Sequence, residues 1–150
     1  MKPLIVLLVS FIISVLLIKA ITATYNFTLA ARVAMATMLL FTAIGHFAFT
    51  KGMSMMIPKC IPFKEGLVYV TGVFEILVAI GLLIPRFKSL SGWALIIFLL
   101  LMLPANIYAS MHHVNYQKGT FNGNGLLYLW FRIPLQIVFI VWTYVSSIRL

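Results

Sequence analysis

Glu75 stands near the middle of an apolar run from Gly66 to Ile84, and with Glu65 it is one of only two acidic side chains in the chain. An ionisable group near the centre of a bilayer costs about 2.5–3.5 kcal/mol on insertion scales, so it normally faces a bundle interior and has a partner there. Thr71, Gly72 and Ala79 share its helix face and are small enough to admit a close neighbour. His46 lies near the end of the run Leu29–Phe49, and Asn106 near the end of Leu90–Tyr108. Arg132 and Gln136 lie in the first half of Leu126–Ile148, four residues apart and therefore on one face. Counted at about 1.5 Å per residue along helices of alternating direction, these four share the membrane half nearest the 51–65 and 109–125 loops. Glu75 sits at its inner limit.

Three kinds of chemistry fit that cluster. One is a polar ligand pocket centred on a buried Glu75–Arg132 pair, with His46, Asn106 and Gln136 as hydrogen-bonding wall. Such a pair need not add stability, but removing one partner is usually severe. Another is structural, the groups only tying helices together. The third is a proton relay through Glu75 and His46. Pro104 and Pro134 mark places where two of the helices can kink and free backbone carbonyls.

Other chemistry has little to stand on. His112 and His113 are adjacent, so on a helix they point about 100° apart and need His46 or Glu75 to complete a metal site. No metal site is expected. Cys60 is the single cysteine, which excludes an intramolecular disulfide, a CxxC pair or a thiolate cage. A bis-histidine haem would want two facing histidines inside the bilayer, and only His46 is clearly inside. No GxSxG, HExxH, P-loop or strand-associated GxGxxG occurs. The sequence therefore carries no haem, disulfide or nucleotide signature, and no catalytic residue is assigned.

The elements that must hold these residues follow from composition. The 150 residues are 63% hydrophobic and 9% charged, against about 45–50% apolar and 25% charged in soluble domains. So few charges cannot cover a water-facing surface, and lipid is the fitting solvent. The net charge of +9 reflects scarce acids, and its cations sit mostly at the ends of apolar runs, where headgroups favour them. No basic cluster suited to nucleic acid is present. Five runs approach the roughly 20 apolar residues that a span needs: Pro3–Ile21, Leu29–Phe49, Gly66–Ile84, Leu90–Tyr108 and Leu126–Ile148. Pro85 with Arg86 and Lys88 forces a tight hairpin between the third and fourth, and Asn122-Gly123-Asn124-Gly125 breaks the chain before the fifth.

The first run, within residues 1–25, reads as a retained helix, although Ala20-Ile21-Thr22-Ala23 resembles a signal-peptide end. Residues 26–150 form the main domain. Cations divide five against five between the two faces, so the positive-inside rule leaves the orientation open. The strip Met53–Phe63, with Pro58, Pro62 and a methionine cluster, is too short to span and reads as an interfacial lid or a plain connector.

Several separate motifs carry a family resemblance. Gly45-His46-Phe47 is followed by Met56-Ile57-Pro58 and Ile61-Pro62. Then come Thr71-Gly72-Val73-Phe74-Glu75-Ile76, Gly81-Leu82-Leu83-Ile84-Pro85, Pro104-Ala105-Asn106-Ile107-Tyr108 and Arg132-Ile133-Pro134-Leu135-Gln136. From Ala31 to Ser147 this order resembles the DoxX-like family of small bacterial integral membrane proteins. The resemblance implies an all-α, polytopic four-helix membrane bundle in the bacterial cytoplasmic (inner) membrane, here with an additional N-terminal hydrophobic helix. It supplies no reaction. The family's name comes from a subunit associated with thiosulfate:quinone oxidoreduction, relatives accompany oxidoreductases, and more distant four-helix proteins act as assembly chaperones or bind sterol-like ligands.

The expectation is a non-enzymatic accessory subunit of a membrane redox or assembly complex. Its pocket of His46, Glu75, Asn106, Arg132 and Gln136 would take a quinone-like or lipid ligand. Its partners would be membrane lipids, an oxidoreductase or other membrane protein, or further copies of itself, and not nucleic acid. The alternatives are a membrane enzyme or proton-coupled carrier using Glu75 and His46, and an assembly chaperone for other membrane proteins.

Overall fold

The computed structural model describes residues 2–150, and among them the structure is helical with no strand. Helix α1 covers Lys2–Thr22, α2 Phe27–Ala48, the short α3 Thr50–Ser54, α4 Lys64–Leu83, α5 Lys88–Met111 and α6 Leu126–Thr143. A π-helical end, Tyr144–Arg149, continues α6. Five of these helices are long and apolar enough to cross a membrane. At about 1.5 Å per residue the 20-residue α4 reaches some 30 Å, and α6 with its π-helical end counts 24 residues. The chain is a multi-pass membrane protein by this architecture.

Local sequence explains the boundaries. Asn26 caps α2 by accepting from the Leu29 amide at 2.9 Å, satisfying one of the donors a helix start leaves free. Pro85 follows the last residues of α4, where it cannot continue the helix, and the chain re-enters α5 at Lys88. Gly125 precedes α6 in the left-handed region, at φ 64°. A Cβ there would lie 2.4 Å from Cε1 of His113, so the backbone favours glycine and any side chain would displace the His113 ring.

Helices α2, α4, α5 and α6 stand around a core of Met35, Leu39, Val78, Leu82, Leu95, Leu135 and Phe139. Neighbours in the ring are α2 with α4, α4 with α5, and α5 with α6, which leaves α4 and α6 at opposite corners. The alanines Ala30, Ala34, Ala36 and Ala43 keep α2 slim where it packs against both α1 and α4. Helix α1 lies outside the ring, against α2, with Leu7 and Ser14 buried and most of its remaining side chains facing outward. Phe11 meets Trp142 edge to face at 5.1 Å, and the Trp142 indole donates to the Ala31 carbonyl at 3.0 Å.

These contacts close the ring where α2 begins and α6 ends, a side we call the turn face, bearing the 23–26 and 84–87 connections. On the opposite side, the loop face, α2 and α6 diverge. Short α3, the strip to Phe63 and the 112–125 loop occupy the gap. Isoleucines, leucines and valines such as Ile12, Ile44, Val70, Leu77, Leu101 and Ile137 point outward, as lipid requires.

Candidate functional site

The close approach of α2 to α4 sets the site. A Cβ at Gly72 would lie 2.9 Å from the His46 Cβ, so only glycine lets the two backbones come this near. Thr42 and His46 then face Thr71 and Glu75, each pair four residues apart on its helix. Glu75 is 7% exposed, and both its oxygens have contacts from α2. Oε2 accepts from the Thr42 hydroxyl at 2.9 Å, and Oε1 lies 3.5 Å from Nε2 of His46.

The Thr71 hydroxyl lies 2.8 Å from the Val68 carbonyl, and Nδ1 of His46 lies 3.0 Å from that hydroxyl oxygen and 3.2 Å from the same carbonyl. The imidazole thus reaches α4 with both ring nitrogens, Nδ1 towards Thr71 and Nε2 towards Glu75. Thr42 and His46 give the carboxylate polar partners at a depth where an isolated charge is costly.

The expected Glu75–Arg132 ion pair is not formed; among the described residues the ion-pair partner of Glu75 is His46. The cause is lateral. Residues 75 and 132 belong to α4 and α6, which occupy opposite corners of the ring, and a cavity lies between them.

That cavity, of about 320 Å³, is bordered by all five residues that sequence reasoning placed at one depth: His46, Glu75, Asn106, Arg132 and Gln136. Its volume falls in the range of small-molecule sites, roughly 300–1,000 Å³. The rest of the wall is largely apolar, with Phe98, Leu99 and Met102 from α5, and Met53, Met56, Ile57, Pro58 and Ile61 from α3 and the strip after it. The Met53–Phe63 strip thus covers the cavity from the loop face. Pro104 borders it too.

Two polar atoms at this wall are buried without a hydrogen-bond partner among the described residues: Nε of Arg132 and Oε1 of Gln136. The Gln136 amide nitrogen donates to the Leu99 carbonyl, which orients the amide and leaves its oxygen as a free acceptor. A donor and an acceptor one helical turn apart on α6 thus remain unpaired at this wall. Asn106, 4% exposed, adds an amide from α5.

Thr42 belongs to the site and was not anticipated; the signal was its position one turn before His46, on the face towards α4. His112 stacks on Tyr108 at 4.1 Å between ring centroids and shares its Nδ1 with the Tyr108 carbonyl. Among the described residues no three His, Cys, Asp or Glu side chains converge as a metal site.

A family model described as "Domain of unknown function (DUF8561)" matches residues 35–147, and the chain belongs to this family. The match begins within α2 and ends in the π-helical end, so α4, α5, α6 and the larger part of α2 fall within it and α1 lies outside. No curated protein and no solved structure matches the chain.

Proposed function

We propose that this DUF8561 membrane protein is a non-enzymatic accessory subunit, similar in kind to DoxX-like proteins, that holds an amphipathic ligand in its loop-face cavity. The ligand class is a quinone-like ring or a lipid with a compact polar head, and the setting is the bacterial cytoplasmic membrane. One observation carries the reading. Polar groups from four helices border one largely apolar cavity, and two of them, a donor on Arg132 and an acceptor on Gln136, have no hydrogen-bond partner among the described residues. Pure helix glue would pair its polar atoms with one another, because an unpaired buried polar group costs about 1–3 kcal/mol. A head presenting both an acceptor and a donor would pair both atoms while its apolar body lies against Phe98, Leu99 and Met102.

The test is thermal unfolding of the purified protein with a short-chain quinone or with lipids of its own membrane. A ligand at about 100 times its Kd stabilises a single-site protein by about 2.7 kcal/mol. A raised Tm in the wild type, reduced in folded Arg132→Ala and Gln136→Leu variants, is the expected result. No shift with any of these ligands would sink the reading.

The His46–Glu75 couple favours a second reading, a proton-handling carrier or enzyme. Its imidazole and carboxylate face each other across two helices at 3.5 Å, and both residues border the cavity. Proton uptake into proteoliposomes that depends on Glu75 would favour it over a purely binding role.

A further inference from the structure

A second cavity, of about 360 Å³, opens on the loop face and is separate in chemistry from the first. It lies where Lys2 of α1, the last turn of α5, the 114–125 loop and the start of α6 come together. Gly52 makes this assembly dense: a Cβ there would fall 1.7 Å from the Tyr116 carbonyl oxygen, so the loop is seated directly on α3.

Several polar groups here can donate. The Asn115 side-chain oxygen accepts from the Lys118 amide at 3.2 Å, and that of Asn122 accepts from the Thr120 hydroxyl. With both oxygens committed, the two Asn residues offer N–H groups. Lys2 contributes an ammonium, and neither carboxylate of the chain borders the cavity. Burial, with a smaller contribution from nearby Tyr128, raises the Tyr116 phenol above its ordinary pKa, so it stays a protonated donor.

Two further features point at an anion. Gly125 and Asn124, which border the cavity, lead directly into α6, whose first turn has no side-chain cap and brings the positive end of the helix dipole to this side. Independently, Ser110 borders the same cavity and is 3% exposed, and its hydroxyl has no hydrogen-bond partner among the described residues. A serine near the end of a helix usually bonds back to its own backbone. This one does not.

From the donor set, the α6 N-terminus and the unpaired Ser110 hydroxyl, we infer that this cavity is a binding site for a phosphate group at the membrane surface. The group can be supplied by an anionic phospholipid head or by a free phosphate. The site is independent of the ligand proposed for the inner cavity. Met56 borders both cavities, so it forms part of the wall between them.

The test uses the full chain in detergent micelles. Equilibrium dialysis with labelled inorganic phosphate probes the free ion, and retention of phosphatidylglycerol, doped into the micelle beside phosphatidylcholine, is read by native mass spectrometry. The discriminating variant is Asn122→Asp, an exposed position that keeps the acceptor for Thr120 while placing a negative charge at the cavity. Saturable phosphate binding, weakened about tenfold or more by Asn122→Asp and severalfold by Ser110→Ala, establishes a free-phosphate site. Selective phosphatidylglycerol retention without phosphate binding, lost in Asn122→Asp, establishes a lipid-head site. Binding of neither probe overturns the inference, as does equal binding by wild type and an Asn122→Asp variant with an unchanged unfolding midpoint.

Discussion

Replacing Thr42 by Val removes the hydroxyl that donates to Glu75 Oε2 at 2.9 Å and leaves the side-chain shape nearly unchanged. Two magnitudes bracket its cost. Hydrogen bonds to charged groups are worth about 1.5–3 kcal/mol in proteins generally. Interhelical bonds in membranes average only about 0.6 kcal/mol, with a maximum near 1.7, because the unfolded state in lipid also finds partners. Thr42 and Glu75 stand on two neighbouring membrane helices, which favours the membrane figure, and we expect about 1 kcal/mol. The same hydroxyl also reaches the Leu39 carbonyl at 3.0 Å, so without the carboxylate it still has an acceptor. In a Glu75→Leu background Thr42→Val should therefore cost almost nothing. Equilibrium unfolding of wild type, both single variants and the double variant in a denaturing-detergent titration closes this cycle. A coupling near 1 kcal/mol is the expected result. Additivity within about 0.3 kcal/mol, the range for residues that do not interact, would refute the hydrogen-bonded account of Glu75.

Gly72→Ala places a methyl 2.9 Å from the His46 Cβ and must push α2 from α4. The expected loss is about 1–3 kcal/mol of stability in the same titration, with weaker ligand retention. Gly52→Ala drives a methyl into the Tyr116 carbonyl and should unseat the 112–125 loop. Faster proteolytic cleavage at Lys118 reads that out. Trp142→Phe keeps the edge-to-face contact with Phe11 but loses the bond to the Ala31 carbonyl. About 0.6 kcal/mol is expected, from the membrane average for such bonds. Cys60 is exposed on the strip beyond α3. A membrane-impermeant maleimide should label it from the same side as a cysteine at Lys118, and a cysteine at Thr24 from the other.

The spans were legible because a bilayer demands a length and a hydropathy that few other environments demand. The expected Leu29–Phe49 and Gly66–Ile84 runs meet helices Phe27–Ala48 and Lys64–Leu83 within two residues at each end. Depth was legible too. Counting along antiparallel helices brought His46, Glu75, Asn106, Arg132 and Gln136 to one level, and they border one cavity. Lateral position was not legible. Which helix stands beside α4 depends on Gly72 admitting α2 and on the ring order, so Glu75 was assigned Arg132 across the cavity instead of its neighbour His46. The π-helical end of α6 also escaped, because Tyr144–Arg149 has no sequence signal that separates π from α hydrogen bonding. The phosphate cavity depends on long-range seating of the 112–125 loop against Gly52 and Lys2, which neither periodicity nor depth counting reaches.

The inner cavity is the central claim, and native mass spectrometry of the protein gently extracted from its own membrane tests it most directly. A stoichiometric quinone-like or lipid molecule is expected on the wild type, lost from a folded Glu75→Gln, Arg132→Ala double variant. Equal retention by the double variant would contradict it, and so would a wild type that carries no small molecule at all.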